Sequence, residues 1–333
     1  MTRRWVHGPN LFVAGAPKCG TTSMAAYLDQ HPDIYFAERK EPFFFSSDLP
    51  HARAVTDEQD YLALFADGAE QRYRAEGSTW YLYSARAAAA IKEASPEARI
   101  IVMLRDPLDL IVSQFRYNQI KGNENIRTVD EAILAEADRR AGRRIPASNR
   151  IEAALHYTAM VDFAPQLQRY WDMFGRERVH VILFDELEDT AGCVGRVFDF
   201  LGLPDMSAID LTPENETSTL PRRRFQGLYR TMVTNKGLAG QAKRLLPRSL
   251  KSRIWNVLDG LNRDAGDRHV GAGAAKPALS PGLRAELAKT LRPCIDQLAR
   301  MLDRDLSHWA ASNHPAPGGI AAEDSRMAAD RPL

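Results

Sequence analysis

The stretch LFVAGAPKCGTTSMAAYLDQHP, residues 11–32, decides the fold class of this 333-residue chain. A short apolar run, residues 11–14, leads into a loop bounded by glycines, residues 15–20, and then into a helix-compatible segment, residues 23–29. A buried strand, a loop of the form Gly-x-x-x-x-Gly and a helix together predict a phosphate- or sulfate-binding turn. Backbone N–H groups of such a loop and the helix amino terminus both attract anions. A strand-to-helix turn with incidental glycines would have the same spacing.

The loop differs from an ATP-binding P-loop in the position of its lysine. The ATP-binding motif ends in Gly-Lys-Ser/Thr, whereas this loop ends in Gly20-Thr21-Thr22 and has its lysine inside, at Lys18. In the ATP-binding loop the final lysine and hydroxyl serve the β- and γ-phosphates and a Mg²⁺ ion. The displaced lysine therefore favours a donor that needs no metal.

Composition is typical of a globular protein without a nucleic-acid-binding character. The chain has 44 Lys and Arg against 43 Asp and Glu, and 44% of its residues are hydrophobic. Its three cysteines, Cys19, Cys193 and Cys294, are far apart, which predicts neither a disulfide framework nor a zinc site. No export signal and no run of about 18 apolar residues can be recognised. We therefore expect a cytoplasmic protein without a membrane-spanning helix.

Short apolar runs alternate with longer segments of helical periodicity, which predicts a parallel sheet with crossover helices. The predicted strands are residues 11–14, 73–76, 100–104 and 179–184. The predicted long helices are residues 153–174, 189–201 and 281–302. We expect a single domain over residues 10–310. A disordered tail, residues 311–333, should follow, because it is rich in Ala, Pro, Gly and charge.

A second candidate anion site follows the predicted strand 100–104. Arg105 comes directly after this strand, Pro107 is able to open the next helix, and Ser113 lies about two turns into that helix. An arginine offers a planar fork of donors to phosphate oxygens. Taken alone, the segment favours an ion pair of Arg105 with a carboxylate. Two anion sites at matching strand ends favour phosphate binding.

The motif of residues 17–22, Pro-Lys-Cys-Gly-Thr-Thr, resembles the 5′-phosphosulfate loop of sulfotransferases that use 3′-phosphoadenosine 5′-phosphosulfate (PAPS). Arg105 and Ser113 resemble the 3′-phosphate site of that family. The resemblance implies that PAPS is bound by Lys18, Cys19, Gly20, Thr21, Thr22, Arg105 and Ser113. It also implies that Lys18 stabilises the charge on the bridging oxygen as the S–O bond breaks, an effect on the order of 3 kcal/mol.

The implied fold is a single α/β domain, a parallel sheet flanked by helices and similar to P-loop proteins. The implied reaction is metal-free in-line transfer of a sulfuryl group to a hydroxyl or amine.

Two glutamates are candidates for the catalytic base. Residues 38–48, ERKEPFFFSSD, resemble the segment that supplies this base in the glycosaminoglycan branch of the family, which implies that Glu41 removes the acceptor proton. We expect the phenylalanines at 43–45 to raise its pKa above the ordinary value of about 4.3. In the alternative interpretation these rings are plain core and Glu41 pairs with a neighbouring cation. Residues 73–84 match the family through Glu76, Ser78 and Tyr81, so Glu76 is a second candidate carboxylate facing the same cleft.

Histidines are weaker candidates for the base. His31 precedes a proline at a predicted helix end, and His156 lies within a segment of helical periodicity. Structural histidines are common at such places. We predict a structural role for both.

The chain departs from the glycosaminoglycan branch ahead of its last predicted helix. That branch has a Lys-Gly-Arg loop there, where this chain has Ala272-Gly273-Ala274, so we expect Arg222, Arg223 and Arg224 to replace the missing part of the 3′-phosphate site. Arg222 belongs to a block, residues 217–258, with ten Lys or Arg and no Asp or Glu. Such a block fits a solvated face. It equally fits a cationic lid that attracts an anionic acceptor or the surface of a membrane.

The sequence leaves the acceptor and the oligomeric state open. A carbohydrate, a lipid glycan and a small natural product are all compatible acceptors, because variable loops build such sites. A P-loop kinase is disfavoured, since no Gly-Lys-Ser/Thr and no clear magnesium-binding aspartate after a strand are present. A non-catalytic anion-binding protein of the same fold is disfavoured because Lys18, Glu41, Arg105 and Ser113 occur together.

Overall fold

The computed structural model describes residue 5 and residues 7–51, 54–206, 208–213 and 277–311. Arg222, the basic block and residues 272–274 lie outside these ranges, and so does the predicted tail beyond residue 311. The predictions made for them stay predictions.

Five parallel strands form one sheet in the order β2-β3-β1-β4-β5. Their bounds are β1 Leu11–Val13, β2 Ile34–Phe36, β3 Tyr73–Gly77, β4 Arg99–Leu104 and β5 Val179–Leu183. The parallel sheet and the α/β class are thus confirmed, with β2 as a strand that the sequence did not predict. The chain continues from β1 to β2 at one edge of the sheet, and from β4 to β5 at the opposite edge. Such a reversal of strand order leaves a crevice at the carboxyl ends of these two neighbouring strands, where α/β proteins bind ligands.

Ten α-helices surround the sheet in the part of the chain that the structure describes. They are α1 Thr21–Leu28, α2 Glu58–Leu62, α3 Ala87–Ala94, α4 Pro107–Lys121, α5 Val129–Leu134, α6 Glu136–Arg140, α7 Tyr157–Met160, α8 Phe163–Phe174, α9 Thr190–Leu201 and α10 Pro281–Leu302. Short 3₁₀ segments cover Ala63–Gly68, Thr79–Tyr81, Glu152–Leu155, Arg176–Arg178 and Phe184–Asp189. None of the helices in these described ranges is long and apolar enough to cross a membrane.

The predicted long helix over residues 153–174 is wrong. Residues 152–155 form a 3₁₀ turn, α7 follows at Tyr157, and the continuous helix α8 begins only at Phe163. Pro165 gives the physical reason, because a proline lacks the N–H group that a helix interior needs and is best tolerated in the first turn. The helix therefore begins two residues before this proline.

Helix α4 is fixed at its beginning by Asp106, the residue after Arg105. One carboxylate oxygen of Asp106 accepts the N–H groups of Leu108 at 2.8 Å and Asp109 at 3.3 Å, and Pro107 opens the helix. The other oxygen accepts the N–H of Ala310 at 2.7 Å. Asp106 is buried. The end of β4 and the start of α4 are therefore tied to the last described segment of the chain.

Candidate active site

The two glycines of the β1–α1 loop have different roles. Gly20 has a φ of 82°, a left-handed conformation that favours glycine, and it immediately precedes α1. A Cβ atom on Gly15 would lie 2.4 Å from the backbone nitrogen of Met103 on β4. Backbone hydrogen bonds from Ala14 and Ala16 to β4 hold the loop start in this position, at 2.9 and 3.0 Å. Gly15 therefore allows close approach of two strand ends, while Gly20 shapes the turn into the helix.

The side chain of Cys19 belongs to the buried core. Its thiol is buried and donates to the carbonyl of Pro17 at 3.6 Å. Burial raises the pKa of this thiol to about 12, so it is neutral at ordinary pH. Residues 20–22 lie at the amino end of α1, whose first turn contains no acidic side chain. The backbone N–H groups at this end are suited to bind an anion.

Lys18 and Arg105 are brought together across the β1–β4 crevice. A guanidinium nitrogen of Arg105 donates to the carbonyl of Lys18 at 3.4 Å, and its planar group lies 4.3 Å from the ring centre of Phe184. Burial, and secondly the charge of Arg105, lower the pKa of Lys18 to about 8. Lys18 itself has a φ of 66°, which is unusual for a residue other than glycine.

The Arg105 side chain is only partly satisfied by protein groups. Its Nη2 lies 3.9 Å from the carboxylate of Asp109, while its buried Nε has no hydrogen-bond partner in the structure. A buried donor without a partner costs about 1–3 kcal/mol. Two neighbouring cations, one of them with an unsatisfied donor, fit an anionic ligand such as a phosphate or phosphosulfate group.

One face of α4 extends this cationic region. Ser113 is half-buried, and Tyr117 and Lys121 follow it at four-residue intervals, which place side chains on one helical face. The ammonium group of Lys18 lies 4.8 Å from the ring centre of Tyr117, and that of Lys121 lies 5.5 Å from it. Sequence reasoning missed Tyr117 and Lys121, although their spacing from Ser113 was a usable signal.

Glu41 lies half-buried on a loop of irregular backbone. Its Oε1 accepts the hydroxyl proton of Thr79 at 2.9 Å. Burial lowers the pKa of Lys18 and raises that of Glu76, and the charge of Glu41 opposes the first shift and adds to the second, so Glu41 is close enough to act on both groups. Glu41 and Phe43 have φ values of 55° and 53°. Such left-handed conformations cost on the order of 1 kcal/mol or more each and are common at functional sites.

The phenylalanines beside Glu41 are part of the hydrophobic core. Phe43 and Phe45 are buried, and Phe44 is half-buried against the ring of Tyr61, with ring centres 4.2 Å apart. The plain-core interpretation therefore applies to the rings themselves. It does not exclude the role of Glu41, whose side chain leaves this aromatic cluster and reaches Thr79.

Glu76 occupies a different environment from Glu41. It is 0% exposed and accepts three hydroxyl protons, from Tyr61 at 2.6 Å, Tyr81 at 2.7 Å and Ser78 at 2.7 Å. Burial raises its pKa to about 7 against the opposing effect of these hydroxyls. The structure thus places Glu76 beneath the surface of the cleft that it was expected to face. Tyr61 was missed because it comes from α2, far from the matched motif.

The two histidines of the sequence analysis have structural surroundings. His31 is buried, and its Nδ1 accepts the N–H of Asp33 at 3.1 Å while Nε2 lies 3.2 Å from the carbonyl oxygen of Pro204. His156 lies between the 3₁₀ turn and α7, where burial lowers its pKa. In the part of the chain that the structure describes, no cluster of three or more His, Cys, Asp or Glu side chains could hold a metal ion.

Comparison with known proteins identifies the family. Residues 9–207 match the model of the sulfotransferase family, and the chain belongs to that family. The structure resembles that of a sulfotransferase from Alicyclobacillus acidocaldarius, with 28% identity, a TM-score of 0.66 and coverage of 92% of this chain and 100% of that chain.

Curated relatives match more partially. Human heparan sulfate glucosamine 3-O-sulfotransferase 3B1 is 27% identical over 196 residues, which cover 59% of this chain and 46% of the relative. The membrane-associated sulfotransferase kil1 of Dictyostelium discoideum is 27% identical over 110 residues, which cover 33% of this chain and 23% of the relative. The matched region thus spans roughly a quarter to a half of these relatives' length.

Proposed function

We propose that this protein transfers a sulfuryl group from PAPS to a hydroxyl group of a carbohydrate. The main observation behind this proposal is that Lys18 and Arg105 are in contact at the β1–β4 crevice. The Nε of Arg105, which has no hydrogen-bond partner, lies on this side chain beside the loop that leads into α1. Membership of the sulfotransferase family supports PAPS as the donor. The loop residues 18–22 would receive the 5′-phosphosulfate end, and Arg105 with Ser113 the 3′-phosphate.

The chain's own residues suit an in-line displacement. The acceptor oxygen would form a bond to sulfur while the bond from sulfur to the bridging oxygen breaks. Lys18 would stabilise the negative charge on the departing oxygen, and Glu41 would take the acceptor's proton. Adenosine 3′,5′-bisphosphate and the sulfated acceptor are the products. An amine would react in the same way, so amine acceptors belong in the test.

A carbohydrate is proposed as acceptor because several relatives are named for such substrates. Three human relatives are heparan sulfate glucosamine 3-O-sulfotransferases, and a mouse relative is a carbohydrate sulfotransferase. An anionic carbohydrate is favoured by the cationic face of α4, where Lys121 is exposed beside Tyr117. Electrostatic attraction of this kind raises association rates and weakens with added salt.

The test uses ³⁵S-labelled PAPS with heparan sulfate, chemically desulfated heparan sulfate, N-desulfated heparan sulfate and a neutral glucan. We expect label in the heparan-type acceptors, and activity that persists in excess EDTA. A strict need for a divalent ion would contradict the metal-free mechanism. Stabilisation by ATP with Mg²⁺, and not by adenosine 3′,5′-bisphosphate, would indicate a kinase. Binding of the bisphosphate without transfer to any acceptor, amines and small phenols included, would indicate a non-catalytic protein.

The proposed cytoplasmic location and peripheral membrane contact are tested separately. Fractionation of cells that express the tagged protein would measure the first. Co-sedimentation with anionic vesicles would measure the second, and binding that disappears without anionic lipid would fit an electrostatic attachment through the basic block.

A further inference from the structure

Glu76 lies at the centre of a buried hydrogen-bonded cluster at the end of β3. The Glu76 cluster comprises this carboxylate and the three hydroxyl residues that donate to it, Tyr61, Ser78 and Tyr81. All four residues are 0% exposed. A carboxylate that is enclosed in this way does not reach an acceptor molecule. Its place beside the proposed active site therefore needs another explanation.

Two hydroxyls of the Glu76 cluster also hold the loop that carries Glu41. The oxygen of Ser78 accepts the backbone N–H of Phe43 at 3.1 Å, and the oxygen of Tyr81 accepts that of Phe45 at 3.3 Å. A hydroxyl has one proton and two lone pairs. Because each proton is directed to Glu76, a lone pair of each oxygen is left for the loop. The carboxylate therefore fixes the orientation in which both hydroxyls accept from the loop.

The loop that is held in this way is strained. Glu41 and Phe43 both have positive φ, which a residue with a side chain keeps only where its surroundings stabilise it. The side chain of Glu41 is held by the hydroxyl of Thr79, the neighbour of Ser78. Both the backbone and the carboxylate of the Glu41 loop are thus attached to the segment that follows Glu76.

We propose that Glu76 is a positioning residue, which holds the loop of residues 41–45 through the hydroxyls of Ser78 and Tyr81 and thereby directs Glu41 towards the acceptor. The proposal rests on the proposed function, in which Glu41 is the base. Glutamine at position 76 keeps the shape of the side chain but replaces one acceptor oxygen by a donor. A hydroxyl facing that donor would have to reorient, and its link to the loop would weaken.

The first experiment measures amide hydrogen exchange of the loop by NMR in the full chain with adenosine 3′,5′-bisphosphate present. We expect exchange of the Phe43 amide to become about tenfold faster in Ser78→Ala and that of Phe45 in Tyr81→Phe. In Glu76→Gln at least one of the two should become faster, because Ser78 and Tyr81 donate to different oxygens of Glu76 and the amide nitrogen replaces only one of them. Tyr61→Phe is the matched control, because it removes a donor to the same carboxylate that is not hydrogen-bonded to the loop, and it keeps the ring that packs against Phe44. Unchanged exchange of both amides in Glu76→Gln would overturn the proposal.

The second experiment is a kinetic double-mutant cycle with labelled PAPS and heparan sulfate. Ser78→Ala should lower kcat about tenfold in the wild-type background and leave the KM for PAPS within about twofold. In the Glu41→Gln background the same change should have little further effect, because Ser78 acts through Glu41. Equal effects in both backgrounds would contradict the proposal, and Tyr81→Phe repeats the cycle should Ser78→Ala fold poorly.

These outcomes can be told apart from failure of the proposed function. If the wild-type protein transfers no label to any acceptor, sulfuryl transfer by this chain is refuted and the positioning of a base is refuted with it. If the wild-type protein is active and the cycle is additive, only the positioning role fails.

Discussion

The proposed site has two halves that are built in different ways. The cationic half consists of the β1–α1 loop, Arg105 and the outer face of α4. The carboxylate half consists of the loop of residues 41–45, Thr79 and the Glu76 cluster. Lys18 lies in the loop after β1 and Arg105 directly after β4, and the backbone pairing of these adjacent parallel strands holds the two segments side by side. Glu41 stands on strained, irregular backbone held by side-chain hydroxyls.

This difference shows which part of the site tolerates change. Strand ends and helix starts are fixed by many backbone hydrogen bonds, so the cationic half should keep its geometry when one side chain is removed. The carboxylate half depends on a few buried side-chain hydrogen bonds, and such networks lose their function when a single member is changed. Variants in the cationic half should therefore affect chemistry and charge. Variants in the carboxylate half should in addition affect how well the loop of residues 41–45 is ordered.

The largest effect is expected from Lys18→Ala in the cationic half. We expect kcat to fall by about 10²–10³, because the lysine acts on charge that develops in the transition state. Affinity for adenosine 3′,5′-bisphosphate, measured by calorimetry, should fall less. Lys92→Ala is the control, since Lys92 also lies over an aromatic ring, that of Phe174, but on α3. A variant that keeps more than about a tenth of wild-type kcat would contradict the leaving-group role.

The next effect is expected from Glu41→Gln in the carboxylate half. We expect kcat to fall about 10²-fold with the KM for PAPS nearly unchanged, because the shape is kept and the basicity is removed. Glu76→Gln should lower kcat by a smaller factor, about tenfold, since it acts through the loop. Steady-state kinetics on the same acceptor compare the two variants. An inactive Glu76→Gln beside an active Glu41→Gln would show that the base assignment is inverted.

A third comparison separates the two loop glycines. Gly15→Ala should lower the free energy of unfolding by about 2–3 kcal/mol, because its Cβ would meet the backbone of Met103. Gly20→Ala should cost about 1–2 kcal/mol, since φ is 82° there and the nearest atom belongs to the movable side chain of Leu187. Urea denaturation measures both. Gly20→Ala should nevertheless weaken the binding of adenosine 3′,5′-bisphosphate more than Gly15→Ala does. If Gly15→Ala weakens binding more, the anion-binding loop has been assigned wrongly.

The smallest effect is the pH dependence of donor-product binding. The pKa of Lys18 is lowered to about 8 by burial and by Arg105, so the lysine is protonated in the free protein below that pH. An anionic ligand favours the protonated form, so binding above pH 8 must take up a proton. The dissociation constant of adenosine 3′,5′-bisphosphate should therefore rise above pH 8, by up to about tenfold per pH unit.

Calorimetry between pH 7 and pH 9.5 would measure this dependence. Lys18→Ala should have a flat profile over the same range, apart from its weaker affinity. A wild-type profile that is flat as well would mean that Lys18 does not contact the anion.

Local signals explain what could be predicted from the sequence. Strands β1 and β4, and helices α1, α4 and α10, have apolar periodicity, caps or prolines within their own segments. Strand β2 was missed because three residues, Ile34–Phe36, are too short to show a period. The helix over residues 153–174 was overextended because apolar spacing continued through Pro165, which ends helical continuity on its amino-terminal side.

The sequence by itself determined the prediction of an anion-binding loop in this protein. Lys18 and Gly20 lie in the loop after one predicted strand and Arg105 directly follows another, and parallel strands bring such positions to one edge of a sheet. Only the tertiary structure shows how the surroundings of the two candidate carboxylates differ. Glu76 is enclosed by hydroxyls from three other positions in the chain, while Glu41 is left half-buried beside Lys18. Burial and hydrogen-bond partners depend on residues distant in sequence, so no local pattern around either glutamate contains that information.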